Sequence, residues 1–334
     1  MQGRLERLTV RAPSLEGNPL GDPAERPLWL YLPPGHDDAS GRFPSVYFLH
    51  GFFGTAEGWT AASPFQPTVP ERLDDLVTSG ALPPVVGVFP DGFTRLGGCQ
   101  WVNSDASGRY RDYLARDVVS AVDARARTLP RPEARALVGR SSGGYGALSL
   151  ARHHPEVFGH LAAHSADACF EYCYLPDLPR AAAALEGADP AGWLEEFLRR
   201  ARETKPRPED HAVLNVLAMS AAYSPRAGLP LGIELPFDPG TARLRPEVWA
   251  RWLEADPVRF VPRSLDAFRR LGGIFVDCGR RDEYQLRWGA RQLVETLRGA
   301  GIAVEHQEFD DGHRGTSYRY DRSLAWLAPR LARE

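Results

Sequence analysis

Lysine is almost missing from this chain: of 40 basic side chains only Lys205, in RETKPRPE, is lysine, and the rest are arginine. A P-loop needs Gly-Lys-Ser/Thr, a kinase its strand lysine, and a pyridoxal enzyme a Schiff-base lysine inside a core. Lys205, set among charged residues and prolines, suits none of these. Cysteine is scarce too. Cys99, Cys169, Cys173 and Cys278 are too few in 334 residues for a disulfide scaffold, no CxxC pair suggests zinc, and Cys169 and Cys173 read as neighbouring buried thiols. No stretch approaches the roughly 18 consecutive apolar residues of a membrane span, and the opening MQGRLERLTVRAPSLEGNPLGD lacks the apolar run of a signal peptide. A cytoplasmic protein without a membrane partner is the expectation. Strong charge of one sign is also absent: 43 acidic against 40 basic residues leave a net charge of −3, which provides no electrostatic case for nucleic acid.

What is present is ordinary globular composition, 43% hydrophobic and 25% charged, in a length that suits two domains or one large domain with an insertion. Short β-branched runs alternate with amphipathic helical patterns, the mark of a mostly parallel sheet flanked by helices. Strands are expected at Leu5–Val10, Leu28–Leu32, Ser45–Leu49, Val85–Phe89, Ala136–Gly139, Leu161–His164, Ile274–Cys278 and Ala303–Glu308, the first two antiparallel. Helices are expected at Tyr110–Arg127, Gly144–His153, Tyr284–Ala300 and Asp321–Arg333. The stretch between His164 and Gly273 is too long for a crossover. It reads as an insertion with helices at Pro190–Arg202, Asp210–Tyr223 and Pro246–Glu254. The division expected is a core of 1–164 and 273–334, with a largely helical cap and its return over 165–272.

Gly139-Arg140-Ser141-Ser142-Gly143 fits G-x-S-x-G between the buried run ALVG and the helical GYGALSLARHH. That is the strand-to-helix turn of a nucleophile elbow, where small residues admit a strained backbone and the helix N-terminus favours negative charge. Ser142 lacks the glycine two residues before it, which leaves Ser141 as nucleophile. The plain alternative is an ordinary helix N-cap. A serine needs a base and the base an orienting acid, in the chain order serine, acid, histidine. Asp282 follows the strand Ile274–Cys278, and His313 lies in the glycine-flanked DDGHRG after the last strand. Glu283 is the rival acid; Asp277, inside the strand, reads as structural. For the oxyanion hole the donors are the N–H groups of Ser142 and Phe52, with Phe53 as alternative to Phe52, because SVYFLH runs into His50-Gly51-Phe52-Phe53-Gly54. His50 reads as a residue that bonds backbone and shapes this loop.

These features together resemble the esterase D or enterochelin-esterase-like branch of the α/β-hydrolases, which includes feruloyl esterases and S-formylglutathione hydrolases. The likeness spans most of the chain, through NPLGDPAERPLWLYLPPG, FLHGFFGTAEGW, FPDGFTRLGGCQWVNSDASGRYRDYLARDVV, VGRSSGGYGAL, DCGRRDEYQLRWGARQL and DDGHRGTSYRYDRSL. It implies an α/β-hydrolase fold, Ser141, Asp282 and His313 as triad, and Phe52 as oxyanion donor. It also implies hydrolysis of a small-molecule carboxylic ester through an acyl-enzyme, with no metal or organic cofactor. Thioester hydrolysis or acyl transfer would use the same residues, and a non-catalytic binding protein on this scaffold is the rival of another class. Two departures, the Arg140-Ser141-Ser142 sequence and the long insertion, bear on substrate. Homo-oligomer formation stays open.

Other residues have weaker claims. Asp167, Phe170, Glu171 and Tyr172 follow a strand end and Trp101 follows another, so all five are candidate substrate contacts, with packing or anchoring the alternative. Arg140 is expected to pair with a buried carboxylate, with anion binding as the alternative. His153, His154, Glu156, His160 and His164 form no clear ligand triad and read as structural. Of Trp193, Phe197, Trp249 and Trp252 in the insertion, at least one is expected to face the pocket.

Overall fold

The computed structural model describes residues 1–38 and 40–333. Its strands are β1 (Arg4–Arg11), β2 (Glu25–Leu32), β3 (Ser45–Leu49), β4 (Val86–Pro90), β5 (Asn103–Ser104), β6 (Gly108–Arg109), β7 (Arg135–Arg140), β8 (His160–His164), β9 (Gly273–Gly279) and β10 (Glu305–Phe309). β5 and β6 form a small separate hairpin. The others make one eight-stranded sheet in the order β1-β2-β4-β3-β7-β8-β9-β10, antiparallel between β1 and β2 and between β2 and β4, parallel thereafter. β3, β4, β8 and β9 are buried along their whole length, because both sheet faces are covered, whereas half of the edge strand β1 is exposed and the other edge strand, β10, is half-buried throughout. Side chains alternate as the pleat requires: Tyr47 and Leu49 join one core layer, Val46 and Phe48 the other.

The expected helices form within a few residues of their expected ends, and Tyr110–Ala126 carries a widened turn over Tyr113–Val118. The sequence reading missed Val69–Thr78, although a signal stands there: Thr68 accepts from the Glu71 N–H, and the Glu71 carboxylate accepts from the Thr68 N–H at 2.7 Å.

Residues 165–272 add no strand to the sheet. Helices Pro190–Glu203, Asp210–Tyr223 and Pro246–Ala255 match expectation, while Phe170–Cys173, Leu178–Ala184, Pro257–Phe260 and Leu265–Arg269 are too short to show periodicity in sequence. Asp210–Tyr223 is buried almost all round, as its apolar sequence demands. The larger core layer runs without a break from the sheet into this segment through Phe170, Leu178, Val213 and Trp252.

Beneath the carboxyl ends of β8 and β9 lies a buried polar chain. His164 bonds Asp277 through Nδ1 at 2.7 Å and Ser323 through Nε2 at 2.9 Å; Arg319 donates from Nε to Asp277 at 2.9 Å and from Nη2 to Gln307 at 2.6 Å. Asp277 is wholly buried, so removing its carboxylate strands Arg319 and the imidazole without solvent. Asp277→Ala is therefore expected to lower stability by about 3–5 kcal/mol, measured by urea unfolding; a loss under about 1 kcal/mol would contradict this account.

Candidate active site

Ser141 sits between β7 and the helix Ser142–His153 at φ 58° and ψ −128°. Few side chains adopt this conformation without a cost of about 1–3 kcal/mol, so the surroundings must hold it. They do so from both sides: the Ser141 N–H donates to the His164 carbonyl at 2.9 Å, and its own carbonyl accepts from Tyr145 at 2.9 Å. Two glycines make the turn possible by closeness of approach. A Cβ at Gly143 would lie 1.9 Å from the Leu49 carbonyl oxygen, and one at Gly139 would lie 2.1 Å from the Gly143 oxygen.

The His313 ring bonds Asp282 through Nδ1 at 2.8 Å, which leaves Nε2 as its free nitrogen. Asp282 is fixed in turn, its other oxygen accepting from the Tyr284 N–H at 3.0 Å and the Leu286 N–H at 3.4 Å. Glu283, the rival acid, accepts instead from the His313 backbone N–H at 2.8 Å. The two neighbouring carboxylates thus divide the work, one holding the ring and one the loop. The Tyr284 ring packs edge-on against the imidazole, centroids 4.8 Å apart.

Ser141 and His313 line one cavity of about 440 Å³. The Ser141 hydroxyl donates to Asp167 Oδ1 at 3.3 Å. Asp167 Oδ2 accepts from Ser142 Oγ at 2.9 Å, the Tyr174 hydroxyl at 2.8 Å and Gln100 Nε2 at 3.2 Å. This buried carboxylate meets hydroxyl and amide donors. Across the cavity, Gly51 comes so near that a Cβ there would lie 3.2 Å from Ser141 Cβ. The Phe53 N–H is spent on the Gly97 carbonyl at 2.8 Å, whereas no protein acceptor among the described residues meets the Phe52 N–H. Ser142 is the first helical residue, so its N–H has no intrahelical acceptor. His50 accepts from the Gly92 N–H through Nε2 at 2.8 Å and so donates from Nδ1 to the Gly51 carbonyl at 2.9 Å. It shapes the loop, as its position suggested.

Several expectations about substrate contacts are corrected. Only Asp167 of the five candidates lines this cavity. Trp101 is buried with its indole N–H on the His50 carbonyl, and Phe170 is buried among Tyr145, Tyr174 and Tyr223. Glu171 pairs with Arg259, and Tyr172 lies in a separate surface cleft beside Trp288. None of Trp193, Phe197, Trp249 and Trp252 lines the cavity either. Trp249 and Trp252 are packed inside, Trp193 stacks on Phe197, and Phe197 lines a neighbouring cavity that shares Phe53 and His211 with the first. Arg140 meets no carboxylate among the described residues: Nη1 reaches the His313 carbonyl at 3.4 Å and Thr316 Oγ1 at 3.3 Å.

The insertion contributes Cys173, Tyr174, His211 and Asn215 to the cavity, and the loop after His313 contributes Arg314. Sequence reasoning did not assign these to the site because no local motif marks them: Cys173 and Tyr174 stand next to candidates that turn elsewhere, and His211 and Asn215 lie on a distant helix. Cys169 and Cys173 are free and buried. His164 has both ring nitrogens engaged, His160 bonds the Glu133 carbonyl, and His154 bonds Glu156. Among the described residues no three potential metal ligands gather.

A sheet of this order, with a strained serine turn at a strand's carboxyl end and a histidine–carboxylate pair on the loops beside it, is an α/β-hydrolase. The chain belongs to the Esterase family, whose model matches residues 23–325, and is a carboxylic ester hydrolase. Among solved structures it is similar to a ferulic acid esterase (TM-score 0.63, 18% identity, covering 98% of each chain). It is also similar to an S-formylglutathione hydrolase from Agrobacterium tumefaciens (TM-score 0.61, 17% identity, 99% of this chain and 96% of that one). A third is the enterobactin esterase of Shigella flexneri (TM-score 0.52, 18% identity, 98% of this chain and 60% of that one). Among curated proteins no sequence matches significantly. No helix among the described residues is long and apolar enough to cross a membrane.

The crowding at the turn has a direct test. Gly143→Ala is expected to lower the melting temperature and abolish covalent labelling of the turn serine, since backbone atoms cannot yield 1 Å or more without moving Ser141. A variant with unchanged melting and labelling would refute the role of that close approach.

Proposed function

We propose that Ser141, His313 and Asp282 form the catalytic triad of this ester hydrolase, with the N–H groups of Phe52 and Ser142 as oxyanion hole. The observation that carries this reading is the His313 Nδ1 bond to Asp282, made by a ring lining the same cavity as the strained Ser141. With Nδ1 committed to the acid, Nε2 accepts the serine proton as Oγ attacks the ester carbonyl. Asp282 keeps the tautomer and stabilises the imidazolium that forms. The carbonyl oxygen, now an anion, is met by two N–H groups that have no acceptor to give up among the described residues. The protonated imidazole then gives its proton to the departing alkoxide, leaving an acyl-enzyme. In the second half His313 draws a proton from water, the hydroxide attacks the acyl carbon, and Ser141 leaves with the proton returned.

Asp167 also touches the Ser141 hydroxyl and is the rival base. Its carboxylate already accepts from three other donors, whereas the His313 ring has Nδ1 held by Asp282 and Nε2 free to accept a proton. Asp167 therefore holds the resting hydroxyl and the floor of the cavity. Residues 165–272 act as a cap that bounds the substrate space through Tyr174, His211 and Asn215.

A fluorophosphonate probe is expected to label Ser141 alone, and Ser141→Ala should lose both the label and turnover of a p-nitrophenyl ester. Label on another serine, or full activity in the alanine variant, would refute the assignment. Asp282→Asn should reduce kcat by about 10³–10⁴-fold, because Glu283 is committed to the His313 backbone and cannot replace it. Glu283→Gln, which can still accept from that N–H, should cost far less. Equal losses in the two variants would reverse the division of labour.

A further inference from the structure

Arginines held in the interior divide into those matched by a carboxylate and those, among them Arg111, Arg152 and Arg140, for which no ion pair stands among the described residues; of these three only Arg140 lines the cavity of Ser141. Arg26, Arg72, Arg135, Arg200 and Arg319 each meet a carboxylate. Arg140, half-buried beside the nucleophile, meets none. Both of its hydrogen bonds, at 3.3 and 3.4 Å, leave from Nη1, and no protein group among the described residues accepts from Nε or Nη2. A guanidinium presents its donors as a planar fork that matches the two oxygens of a carboxylate, so an open edge of that fork next to reacting atoms is a recognition surface.

The cavities around it say which part of a ligand would reach it. Arg140 lines the catalytic cavity and also a second one of about 530 Å³, and the two share Gly51, Phe52 and Arg140. The second cavity is walled by neutral side chains such as Ser63, Gln66, Thr68, Ser317 and Tyr320, and Arg140 supplies its formal charge. His50, at its edge, has both ring nitrogens engaged by backbone, and its pKa is lowered by burial, which keeps it neutral. In the catalytic cavity the buried Asp167 repels an anion. Arg314, the other arginine there, is exposed.

We propose that Arg140 and the second cavity form a subsite for a carboxylate carried by the ester substrate. The inference rests on the triad reading and adds the substrate's charge to it. One half of the ester occupies the cavity under Tyr174, His211 and Asn215; the other passes Gly51 and Phe52 and lays its carboxylate on the open edge of Arg140. A single guanidinium balances a monoanion, which favours a carboxylate over a dianionic phosphate monoester. Arg140 is thus a specificity-determining residue, and its place directly before Ser141 in the chain fixes the distance from the carboxylate to the scissile bond.

The test uses matched ester pairs on the full-length enzyme. One pair carries the charge on the acyl side, p-nitrophenyl hydrogen adipate against p-nitrophenyl hexanoate. The other carries it on the alcohol side, p-butyryloxybenzoate against p-butyryloxybenzamide. In at least one pair the carboxylate member should have the higher kcat/KM, and Arg140→Gln should cut that ratio about tenfold or more, mainly through KM, with Arg140→Lys keeping part of it. The ratio within one variant cancels any general loss from the disturbed Thr316 and His313 contacts. A parent enzyme that labels at Ser141 and hydrolyses neutral esters without preferring either carboxylate overturns the subsite and leaves the triad standing, as does an unchanged ratio in Arg140→Gln. Failure of the parent to label and to hydrolyse any of the four esters overturns the triad reading, and the subsite with it.

Discussion

The rest of the site depends on one residue's backbone, that of Ser141, held at φ 58° where an unconstrained chain would not stay. Three parts of the fold meet to hold it. The end of β3 comes so close that only glycine fits at 143, β8 accepts the Ser141 N–H, and the helix beginning at Ser142 closes behind. The same packing brings Gly51 against Ser141 and leaves the Phe52 and Ser142 N–H groups without acceptors among the described residues. Strain in the turn and readiness of the donors are therefore two results of one close approach. His50 and Trp101 support it from outside the cavity, the histidine by bonding the backbone at Gly51 and Gly92, the indole by donating to the His50 carbonyl.

Apart from the proposed triad, a second set of serine, histidine and aspartate runs through this molecule. Ser323, His164 and Asp277 are joined by hydrogen bonds at 2.9 and 2.7 Å, which is shorter than the 3.3 Å contact of Ser141 with Asp167. Yet Ser323, His164 and Asp277 are buried, and Arg319 neutralises the aspartate from its other side. No ester can reach that serine. It serves to join β8, β9 and the last long helix beneath the site. Residue types and hydrogen-bond lengths therefore do not by themselves mark a serine, histidine and aspartate as catalytic, and a serine that no substrate can reach is structural.

Charge is distributed around the cavity with the same economy. Arg26, Arg135, Arg200 and Arg319 are spent on carboxylates, Asp167 is spread over hydroxyl and amide donors, and Arg140 keeps an open edge. Burial makes such choices expensive to reverse, since an unpaired charge in a low-dielectric interior costs more than any surface pair can return. The polarity of the cavity is consequently a fixed property of the fold.

The sheet and the principal helices were legible in the chain because periodicity is a local property: fully buried strands read as continuous apolar runs, and long helices carry an apolar stripe. The turn at Ser141 was legible because its glycines are dictated by packing at fixed offsets, and His313 and Asp282 because loops at strand ends follow from the strand pattern. Substrate contacts were not legible. Trp101 and Phe170 follow strand ends but turn into the core, Glu171 is claimed by Arg259, and His211 and Asn215 reach the cavity from a helix whose sequence shows only that it is buried. Arg140 gave the wrong expectation for the same reason, since whether a carboxylate stands opposite a side chain depends on residues far away in sequence. Position along the chain determines where the backbone runs and which residues stand at strand ends. What each of those side chains meets is decided by long-range packing, and only the tertiary structure contains that information.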